Sequence, residues 1–458
     1  MSPLRFALAL LLFCLWLQPA QAAELLLLSD IHLNPIADKT LTDRLAAASP
    51  EQWVPILDQG VERHSAYGED SDWKLMRAAF AAMKAQPKPD AVVITGDFLA
   101  HRFRALFDAT AADHSDAAFH RFTIATMGFI ALQLRATFPT TPILTVLGNN
   151  DDDCGDYVLQ PGGAFLADTA PIAASLAGAV GGDAFRQSWR TLGNYIVPLP
   201  GVANTSLIGL NTNFFSTHYK NACGAPSDGN PAAMSLSWLK SVLAEAEAAH
   251  RKVMLAYHIP PGVDAFSSLR SGASCPMTPV PMFAPAYGDA LHAILARYRD
   301  TITASFAGHT HMDGFRLLSD NGNAFGFVLM TPGISPNVGQ NPAFRRVTID
   351  TDGGLIDQST YYLANLPDAV LGATPQWRLE MAFDKTFGLS RIDVANLGTL
   401  SRRLGSDQAT RRQWVDAYGV QGPARATVTP QNFAVYRCTA ASDRSDDVAR
   451  CSCAGETP

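Results

Sequence analysis

Several features that often decide the interpretation of a new sequence are absent here. No block of lysines and arginines occurs, charged residues make up 17% of the chain and the formal net charge is −7, which argues against a nucleic-acid duplex as partner. The sequence contains no G-x-S-x-G motif and no P-loop, so neither a serine nucleophile nor a P-loop nucleotide site is indicated. The cysteines form no C-x-x-C pair, and we interpret them as structural rather than metal-binding.

Long apolar runs are also scarce, and the one that stands out lies at the N-terminus. Phe6–Leu17 follows Arg5 and precedes the small residues Ala20-Gln21-Ala22-Ala23, which is the layout of a signal peptide. The run is too short to span a bilayer, and no later segment reaches the length of a membrane helix. We predict a cleaved signal peptide at residues 1–23 and a secreted, periplasmic or lumenal protein; an uncleaved membrane anchor is the alternative. Cys14 lies within this segment, so six of the seven cysteines would remain, an even number that suggests disulfides.

Apolar residues make up 47% of the 458 residues, enough for a sizeable core. Six apolar runs rich in β-formers are mostly continuous rather than alternating, which predicts strands covered on both faces. Helical patterns lie between them at Asp72–Lys84 and Ser237–His250, the second with Ser235 or Ser237 as predicted cap. Strands that alternate with helices predict an α/β layered sheet. The predicted strands are Leu25–Leu28, Ala91–Thr95, Ile143–Leu147, Ser206–Leu210, Val253–Tyr257 and Ile302–Phe306.

Other segments shape the predicted domain organisation. Residues 154–200 are rich in Gly, Ala and Pro and are predicted to be an insertion over one edge of the sheet, and residues 260–288 a long ordered loop. Residues 344–363 have a hairpin pattern, and residues 376–420 look helical. We therefore predict a main domain at residues 24–352 and a helical, cysteine-containing C-terminal subdomain at residues 353–458.

Polar side chains that bind cations follow five of the six predicted strands. The ligand crevice of an open α/β sheet lies outside the carboxyl ends of its strands, so these groups are expected to converge. The patterns D-x-H and H-x-H place first and third residues on one side of an extended segment, and glycines at 96, 148 and 308 permit backbone geometry that a β-carbon would forbid. The clusters are Ser29-Asp30-Ile31-His32, Gly96-Asp97-Phe98-Leu99-Ala100-His101, Gly148-Asn149-Asn150-Asp151, His258 and Gly308-His309-Thr310-His311.

The chemistry of these clusters is that of a two-metal centre. Imidazole suits zinc and iron, carboxylate and amide oxygens suit harder ions, and one carboxylate can bridge a pair. Taken singly, D-x-H and Gly-Asp also occur in ordinary surface turns, and His258 would fit a core histidine. The two imidazoles of GHTH after a buried strand are more specific, and the five clusters together predict a metal site.

With these residues assembled, the sequence resembles the calcineurin-like metallophosphoesterases over about residues 25–350. Their motifs run D-x-H, G-D, G-N-H-[DE], a lone His and G-H-x-H. GDFLAH at 96–101, SLIGLNTNFF at 206–215, YHIPPG at 257–262 and TPGISPNVGQNPAFRRVTID at 331–350 narrow the resemblance to the acid sphingomyelinase-like branch. It implies a four-layer α/β/β/α sandwich and a phosphodiesterase that uses a metal-bridging hydroxide.

The resemblance also implies a ligand set for two divalent metals. In this branch both metals are typically Zn2+, and the sequence does not exclude Mn2+ or Fe. The two sets share the carboxylate of Asp97 and comprise Asp30, His32, Asp97 and His311 for the first metal, and Asp97, Asn149, His258 and His309 for the second.

One position departs from the family pattern, because Asn150 stands where a histidine is usual. Asparagine can donate a hydrogen bond but cannot deliver a proton near neutral pH, which puts the general acid in doubt. His101, the added histidine of GDFLAH, is the predicted replacement; a solvent-exposed histidine at a helix start is the alternative. Asp151 is predicted as a hydrogen-bond acceptor behind the ligands, and His101, Asn150 and Asp151 are the candidate catalytic residues. Asp152 and Asp153 are interpreted as solvated turn residues.

The sequence gives less information about the disulfide pairing and the substrate than about the metal ligands. The resemblance implies the pairs Cys223–Cys275 and Cys438–Cys451; Cys154 and Cys453 are left over and form a third candidate pair. No lipid-extracting saposin-like segment is evident before Asp30, so a soluble diester, a nucleotide or polyphosphate is as suitable a partner as a phospholipid headgroup. The G-N-N-D variant also resembles vacuolar endopolyphosphatases, which makes an endopolyphosphatase or nucleotide phosphohydrolase an alternative. A non-catalytic protein that binds metal or phosphate ligands is the alternative of another class.

Overall fold

The structure, a computed structural model, describes residues 22–60, 63–221, 223, 229–271, 275, 277–320 and 322–454. Residues 1–21 of the predicted signal peptide lie outside this part of the chain. Within it, no helix combines the length and the apolar character needed to cross a membrane.

Two six-stranded mixed sheets form the centre of the molecule. The first has the order β14-β13-β12-β1-β2-β3, with β1, β2 and β3 parallel, and the second has the order β10-β11-β9-β6-β5-β4, with β5, β6, β9 and β11 parallel. A short ribbon pairs β7 with β8. The strands are β1 Ala23–Leu28, β2 Ala91–Ile94, β3 Ile143–Thr145, β4 Tyr195–Pro198, β5 Thr205–Leu210, β6 Lys252–Tyr257, β7 Val263–Asp264, β8 Val280–Pro281, β9 Ile302–Ala307, β10 Gly314–Asp320, β11 Asn323–Met330, β12 Ala343–Ile349, β13 Leu355–Leu363 and β14 Trp377–Ala382. All six predicted strands are confirmed.

Helices cover both sheets. They are α1 Thr42–Ala47, α2 Trp53–Leu57, α3 Trp73–Lys84, α4 Phe103–Asp108, α5 Asp116–Thr137, α6 Ala164–Ala177, α7 Asp183–Leu192, α8 Pro231–Ala248, α9 Ala265–Ser271, α10 Pro285–Arg297, α11 Leu366–Val370, α12 Phe383–Phe387, α13 Val394–Ser406, α14 Gln408–Tyr418, α15 Phe433–Ala441 and α16 Ser445–Cys453.

The period-two geometry of β1 explains why its apolar run is continuous. Leu26 and Leu28 belong to a core shared with α3 and α5, whereas Leu25 and Leu27 belong to the core between the two sheets. Successive side chains of a strand point to opposite faces, so a strand covered on both faces needs apolar residues throughout. Burial of each leucine stabilises the fold by roughly 1.5–3 kcal/mol. The predicted four-layer sandwich is confirmed.

Two predicted helices are present, with one correction. The α3 helix begins after Asp72, whose side chain accepts from the backbone N–H of Leu75 at 2.7 Å. The predicted start of α8 at Ser235 or Ser237 is wrong. Asn230 caps this helix by accepting from Ala233 N–H, and Pro231 occupies the first turn, where its missing N–H costs nothing.

The segments predicted as an insertion over one sheet edge and as a long ordered loop both contain helices and strands. Residues 154–200 hold α6, α7 and β4; α6 packs on β3, and both β3 and β4 are edge strands. Residues 260–288 hold β7, α9 and β8. The Gly- and Pro-rich composition of these segments concealed α6 and α7, which pack on β3 and β4, and α9, which packs on α15.

The C-terminal part begins with strands. The predicted hairpin at 344–363 is confirmed as β12 and β13, but the helical interpretation of residues 376–420 is wrong at its start, because Trp377–Ala382 forms β14 and pairs with β13. The first sheet therefore continues across the predicted boundary at residue 353. Apart from the short α11, the helices of this part begin at Phe383, and α13 and α15 pack on β10.

Of the predicted disulfides, Cys438–Cys451 is confirmed. The predicted pairs Cys223–Cys275 and Cys154–Cys453 are wrong, because the structure joins Cys154 to Cys223 and Cys275 to Cys453, with Cα atoms 5.4 and 5.6 Å apart. Met277 packs on α15 and α16, where Val435 and Val448 form a small core with it and with Cys453. A bridge between Val158 and Lys220 brings the segment after Cys154 to the segment before Cys223.

Candidate metal centre

The five strand-end clusters converge at one edge of the sandwich. The loops that carry them are hydrogen-bonded to each other: Asp30 N–H donates to the Gly96 carbonyl at 2.9 Å, and Gly308 N–H donates to the His258 carbonyl at 3.0 Å. All seven candidate metal ligands meet there, drawn from segments up to 281 residues apart (311 − 30).

The backbone at these clusters is strained. Asp30, His32, Asp97, His309 and His311 all have φ between 43° and 71°, a left-handed conformation that costs a non-glycine residue roughly 1–2 kcal/mol. The D-x-H and H-x-H segments are therefore not extended, and the predicted reason for their side chains lying on one side is wrong. Strain of this kind persists where surrounding structure enforces it, and it concentrates at functional sites.

Glycines permit the close approach of these loops. Gly96 has φ 97°, and a Cβ there would lie 2.6 Å from the backbone nitrogen of Gly148 and 2.9 Å from Nδ1 of His258. A Cβ on Gly148 would overlap the carboxylate of Asp97.

The first donor group comprises Asp30, His32 and His311, with Asp97. Nε2 of His32 lies 3.1 Å from Nε2 of His311. Oδ1 of Asp30 lies 3.8 Å from the first of these nitrogens and 3.5 Å from the second. Two imidazole nitrogens that face each other beside a carboxylate form a position suited to a cation.

The second donor group comprises Asn149, His258 and His309, with Asp97. Oδ1 of Asn149 lies 3.1 Å from Nε2 of His258 and 2.9 Å from Nδ1 of His309. Oδ2 of Asp97 lies 3.1 Å from His258 Nε2 and 3.4 Å from His32 Nε2. The carboxylate of Asp97 therefore stands between the two donor groups.

Backbone carbonyls fix the histidine tautomers. Nδ1 of His32 donates to Leu99 O at 2.8 Å, and Nδ1 of His258 donates to Thr95 O at 2.7 Å. A carbonyl can only accept, so the proton of each neutral ring is on Nδ1 and the Nε2 lone pair faces the site. Metal-bound histidines are oriented in this way.

The charges of the site are complementary. Burial disfavours the Asp30 carboxylate, yet the imidazoles of His311 and His32 lower its pKa to about 2. Burial also opposes protonation of His32, but neighbouring carboxylates, Asp97 foremost, raise its pKa to about 10. A metal ion bound at Nε2 of His32 would take the place of that proton. Burial lowers the pKa of His309 to about 4. The centre thus holds ionised carboxylates among imidazoles, a donor set suited to divalent metals such as zinc, manganese or iron.

Hydrogen bonds made by Asp151 account for part of the polar sequence in the loop after β3. Asp151 accepts four backbone N–H bonds, from Asp97, Phe98, Leu99 and Gly148, at 2.7–3.2 Å. Its carboxylate is buried and clamps the Gly-Asp turn, so it acts through the position of Asp97 rather than on a substrate.

Asn149 and Asn150 have different hydrogen-bond partners and therefore different roles. Nδ2 of Asn149 donates to Oδ1 of Asp156 at 2.7 Å, which turns Oδ1 of the amide toward the histidines. Asn150 donates to Asp97 twice, from its backbone N–H and from Nδ2, both at 2.9 Å. Asn150 therefore braces the carboxylate that both donor groups share.

His101 lies over the first donor group. Its ring stacks on His32 with centroids 4.0 Å apart, and its Nδ1 is 2.8 Å from Oδ1 of Asp70. Its side chain is 34% exposed, which leaves it open to solvent on one side. The side chain of Asp70 is 9% exposed and also accepts from the amide of Asn337 at 3.1 Å.

The sequence analysis missed Asp70 and Asp156, since neither lies in a motif and each is recognisable only by its partner in space. The interpretation of Asp152 and Asp153 as solvated turn residues is wrong: Asp152 is 3% exposed, and the Asp153 side chain is 14% exposed. The loop folds inward at these positions.

The sandwich fold and this donor set define the class of metal-dependent phosphoesterases. The model of the calcineurin-like phosphoesterase family matches residues 24–313, and the chain belongs to that family. The predicted resemblance is thereby confirmed.

Relatives extend the likeness into the C-terminal part. Acid sphingomyelinase-like phosphodiesterase 3b of Homo sapiens is 26% identical over 84% of this chain and 81% of its own length. The cyclic GMP-AMP phosphodiesterase SMPDL3A of Rattus norvegicus is 25% identical over 82% of this chain and 80% of its own length. Sphingomyelin phosphodiesterase of Homo sapiens is 30% identical, but over 56% of this chain and 38% of its own length.

Proposed function

We propose that the protein is an exported phosphodiesterase that holds two divalent metal ions. The observation that carries the proposal is the position of the Asp97 carboxylate, within 3.4 Å of a histidine nitrogen in each donor group. Relatives named as phosphodiesterases support the reaction class, and three disulfides support an oxidising compartment.

The proposed roles follow from the donor groups. Asp30, His32 and His311 would hold one metal, Asn149, His258 and His309 the other, and Asp97 would bridge them. When bound, such a pair supplies Lewis-acid activation of water and neutralises charge on the phosphoryl oxygens. Zn2+ suits the imidazole-rich donor set, and Mn2+ or Fe2+ would fit the same ligands.

We assign proton delivery to His101. Asp70 accepts from its Nδ1, which directs Nε2 away from Asp70 and keeps the ring stacked on His32. Asn150 lacks a titratable group and is engaged with Asp97. A protonated His101 can therefore donate to the leaving oxygen, while Asn150 keeps the bridging carboxylate in place.

A cavity of about 350 Å³ beside His309 and Thr310 supports a substrate with an apolar or aromatic portion. Arg316 supplies the positive charge among the described residues that line it, and its guanidinium donates to the carbonyls of Pro261, Val263 and Thr439. Because these hydrogen bonds go to the protein's own backbone and the carboxylate of Asp264 also lines the cavity, the lining is poorly suited to a polyanion such as polyphosphate. Apolar and aromatic residues of the lining include Phe266, Met282, Met312, Val338, Trp414 and Tyr418.

Release of nitrophenol from bis-nitrophenyl and mono-nitrophenyl phosphate, with and without chelator, tests the proposal. We expect faster cleavage of the diester, loss of activity with chelator and recovery with Zn2+ or Mn2+. Extension to sphingomyelin, nucleotides, cyclic nucleotides and polyphosphate would define the substrate. Metal binding without any turnover would favour the alternative of a non-catalytic binding protein.

A further inference from the structure

The loop that follows Asn149 and Asn150 buries the carboxylate of Asp152, and one of its two oxygens has no hydrogen-bond partner in the described part of the chain. Oδ1 of Asp152 accepts from Cys154 N–H at 2.6 Å. Oδ2 is buried and has no hydrogen-bond partner among the residues that the structure describes. An ionised oxygen in that situation loses its hydration without compensation, which is costly unless a proton or a cation is supplied.

A second carboxylate increases this cost. One oxygen of Asp153 and one of Asp152 lie within 4.8 Å of each other. Burial first, and the charge of Asp153 second, raise the pKa of Asp152 well above its ordinary value. Two carboxylates placed together in this way share either a proton or a positive ion.

His120 holds Asp153 in place. Its Nδ1 contacts Asp153, and its Nε2 is 2.8 Å from Asp168. A ring that binds a carboxylate at each nitrogen donates from both, and the two carboxylates raise the pKa of His120 against the opposing effect of burial. His120 therefore has no lone pair left for a metal and acts as a support for Asp153.

The chemistry of the remaining donors selects the ion. The sulfurs of Cys154 and Cys223 lie beside the two carboxylates but are joined in a disulfide, so no thiolate is present to bind a soft metal. The available donors are carboxylate oxygens, which prefer hard cations.

We propose that Asp152 and Asp153 form a binding site for a hard divalent cation of the Ca2+ class, outside the two donor groups of the metal centre. Asn149 and Asn150 lie on the same loop and are separated from Asp152 only by Asp151. Bound Ca2+ would remove the repulsion between Asp152 and Asp153 and hold the loop that presents both amides to the centre.

Calorimetric titration of CaCl2 into the purified holoenzyme at pH 7.5 tests the site. We expect a single saturable Ca2+ site in the wild-type protein. Asp152→Asn should weaken binding at least about tenfold, because it removes the negative charge that attracts the cation, while its amide can donate to Asp153 and preserve the fold. Asp153→Asn should have the same effect on binding, and Asp183→Asn, which removes an exposed charge, should have none.

The Asp97→Asn variant separates this site from the metal centre. Ca2+ binding should persist in Asp97→Asn even where the transition metals are lost. The proposal is overturned if the wild-type protein binds no Ca2+, which would mean that the pair shares a proton. It is also overturned if Asp97→Asn abolishes Ca2+ binding while Asp152→Asn retains it.

Discussion

Asp97 is the residue on which both donor groups depend, since its Oδ2 contacts a histidine of each. Asp97→Asn keeps the shape of the side chain but removes the negative charge, so the two metals would lose their shared ligand. We expect activity to fall by at least about 1,000-fold, a loss of at least about 4 kcal/mol in transition-state stabilisation. Metal content should also fall in elemental analysis of the purified variant. A fully metallated and active Asp97→Asn protein would contradict the site assignment.

A second prediction for a single residue concerns His101. His101→Ala should reduce turnover of diesters with alkoxide leaving groups by about 100- to 10,000-fold. Nitrophenyl esters should lose far less, because nitrophenolate leaves without a proton. The comparison of kcat/KM on the two substrate types measures this, with His114→Ala, an exposed histidine, as matched control. Equal losses on both substrates would remove His101 from the acid role.

The site residues that lie in motifs could be predicted from the sequence, whereas the residues that hydrogen-bond to them could not. The convergence of the clusters ending at His32, His258 and His311 follows from the general rule that strand ends share one edge. Asp70 could not be found, because only its hydrogen bond to His101 distinguishes it from other acidic residues. The burial of Asp152 was missed for the same reason, since consecutive aspartates ordinarily indicate a solvated turn.

At the scale of elements, the cap of α3 makes stability depend on pH. Burial raises the pKa of Asp72 to about 6, whereas an unfolded aspartate titrates near 3.9. The folded state therefore binds the proton more tightly, so this group's contribution to the free energy of unfolding is greatest at low pH. It declines as the pH rises from about 4 to about 6.

Asp72→Asn should remove this dependence. Asparagine caps a helix as well as aspartate does but carries no charge, so the variant should be more stable than the wild-type protein at pH 8, by about 1–3 kcal/mol. The difference should shrink at pH 4.5. Urea unfolding of both proteins at the two pH values measures it, and a difference that is the same at both would contradict the role of ionisation. Asp72→Ala, which lacks the cap, should be destabilised by about 1 kcal/mol relative to Asp72→Asn at either pH.

Helices and strands could be predicted where a single local sequence pattern determined them. The continuous run at Leu25–Leu28 could only be a doubly covered strand, and Asp72 begins a clear helical pattern. β14 was misassigned because Trp377–Ala382 is short and its pairing with β13, rather than its local sequence, determines its conformation. The start of α8 was misplaced because Asn230 and Pro231 lie in a loop-like stretch.

At the scale of the molecule, the C-terminal helices are part of the main core. Leu397, Leu400, Leu404 and Trp414 belong to the same buried cluster as the strands of the second sheet. Each of these side chains contributes roughly 1.5–3 kcal/mol by burial. The predicted division at residues 352 and 353 thus falls within a continuous sheet and core.

A single cooperative unfolding transition should follow from this shared core. Differential scanning calorimetry of the full chain should show one peak, and a chain that ends at Ala382 should be unfolded or insoluble, because its sheet would expose the surface that α13 and α15 cover. Two separate transitions, or a stable and active truncated chain, would contradict a shared core.

An anomalous-diffraction map of crystals grown with Zn2+ tests the central claim most directly. The arrangement predicts two peaks about 3.5–4 Å apart, one on each side of the Asp97 carboxylate, the first beside His32 and His311 and the second beside His258 and Asn149. A single peak, or peaks that lie away from Asp97, would contradict it.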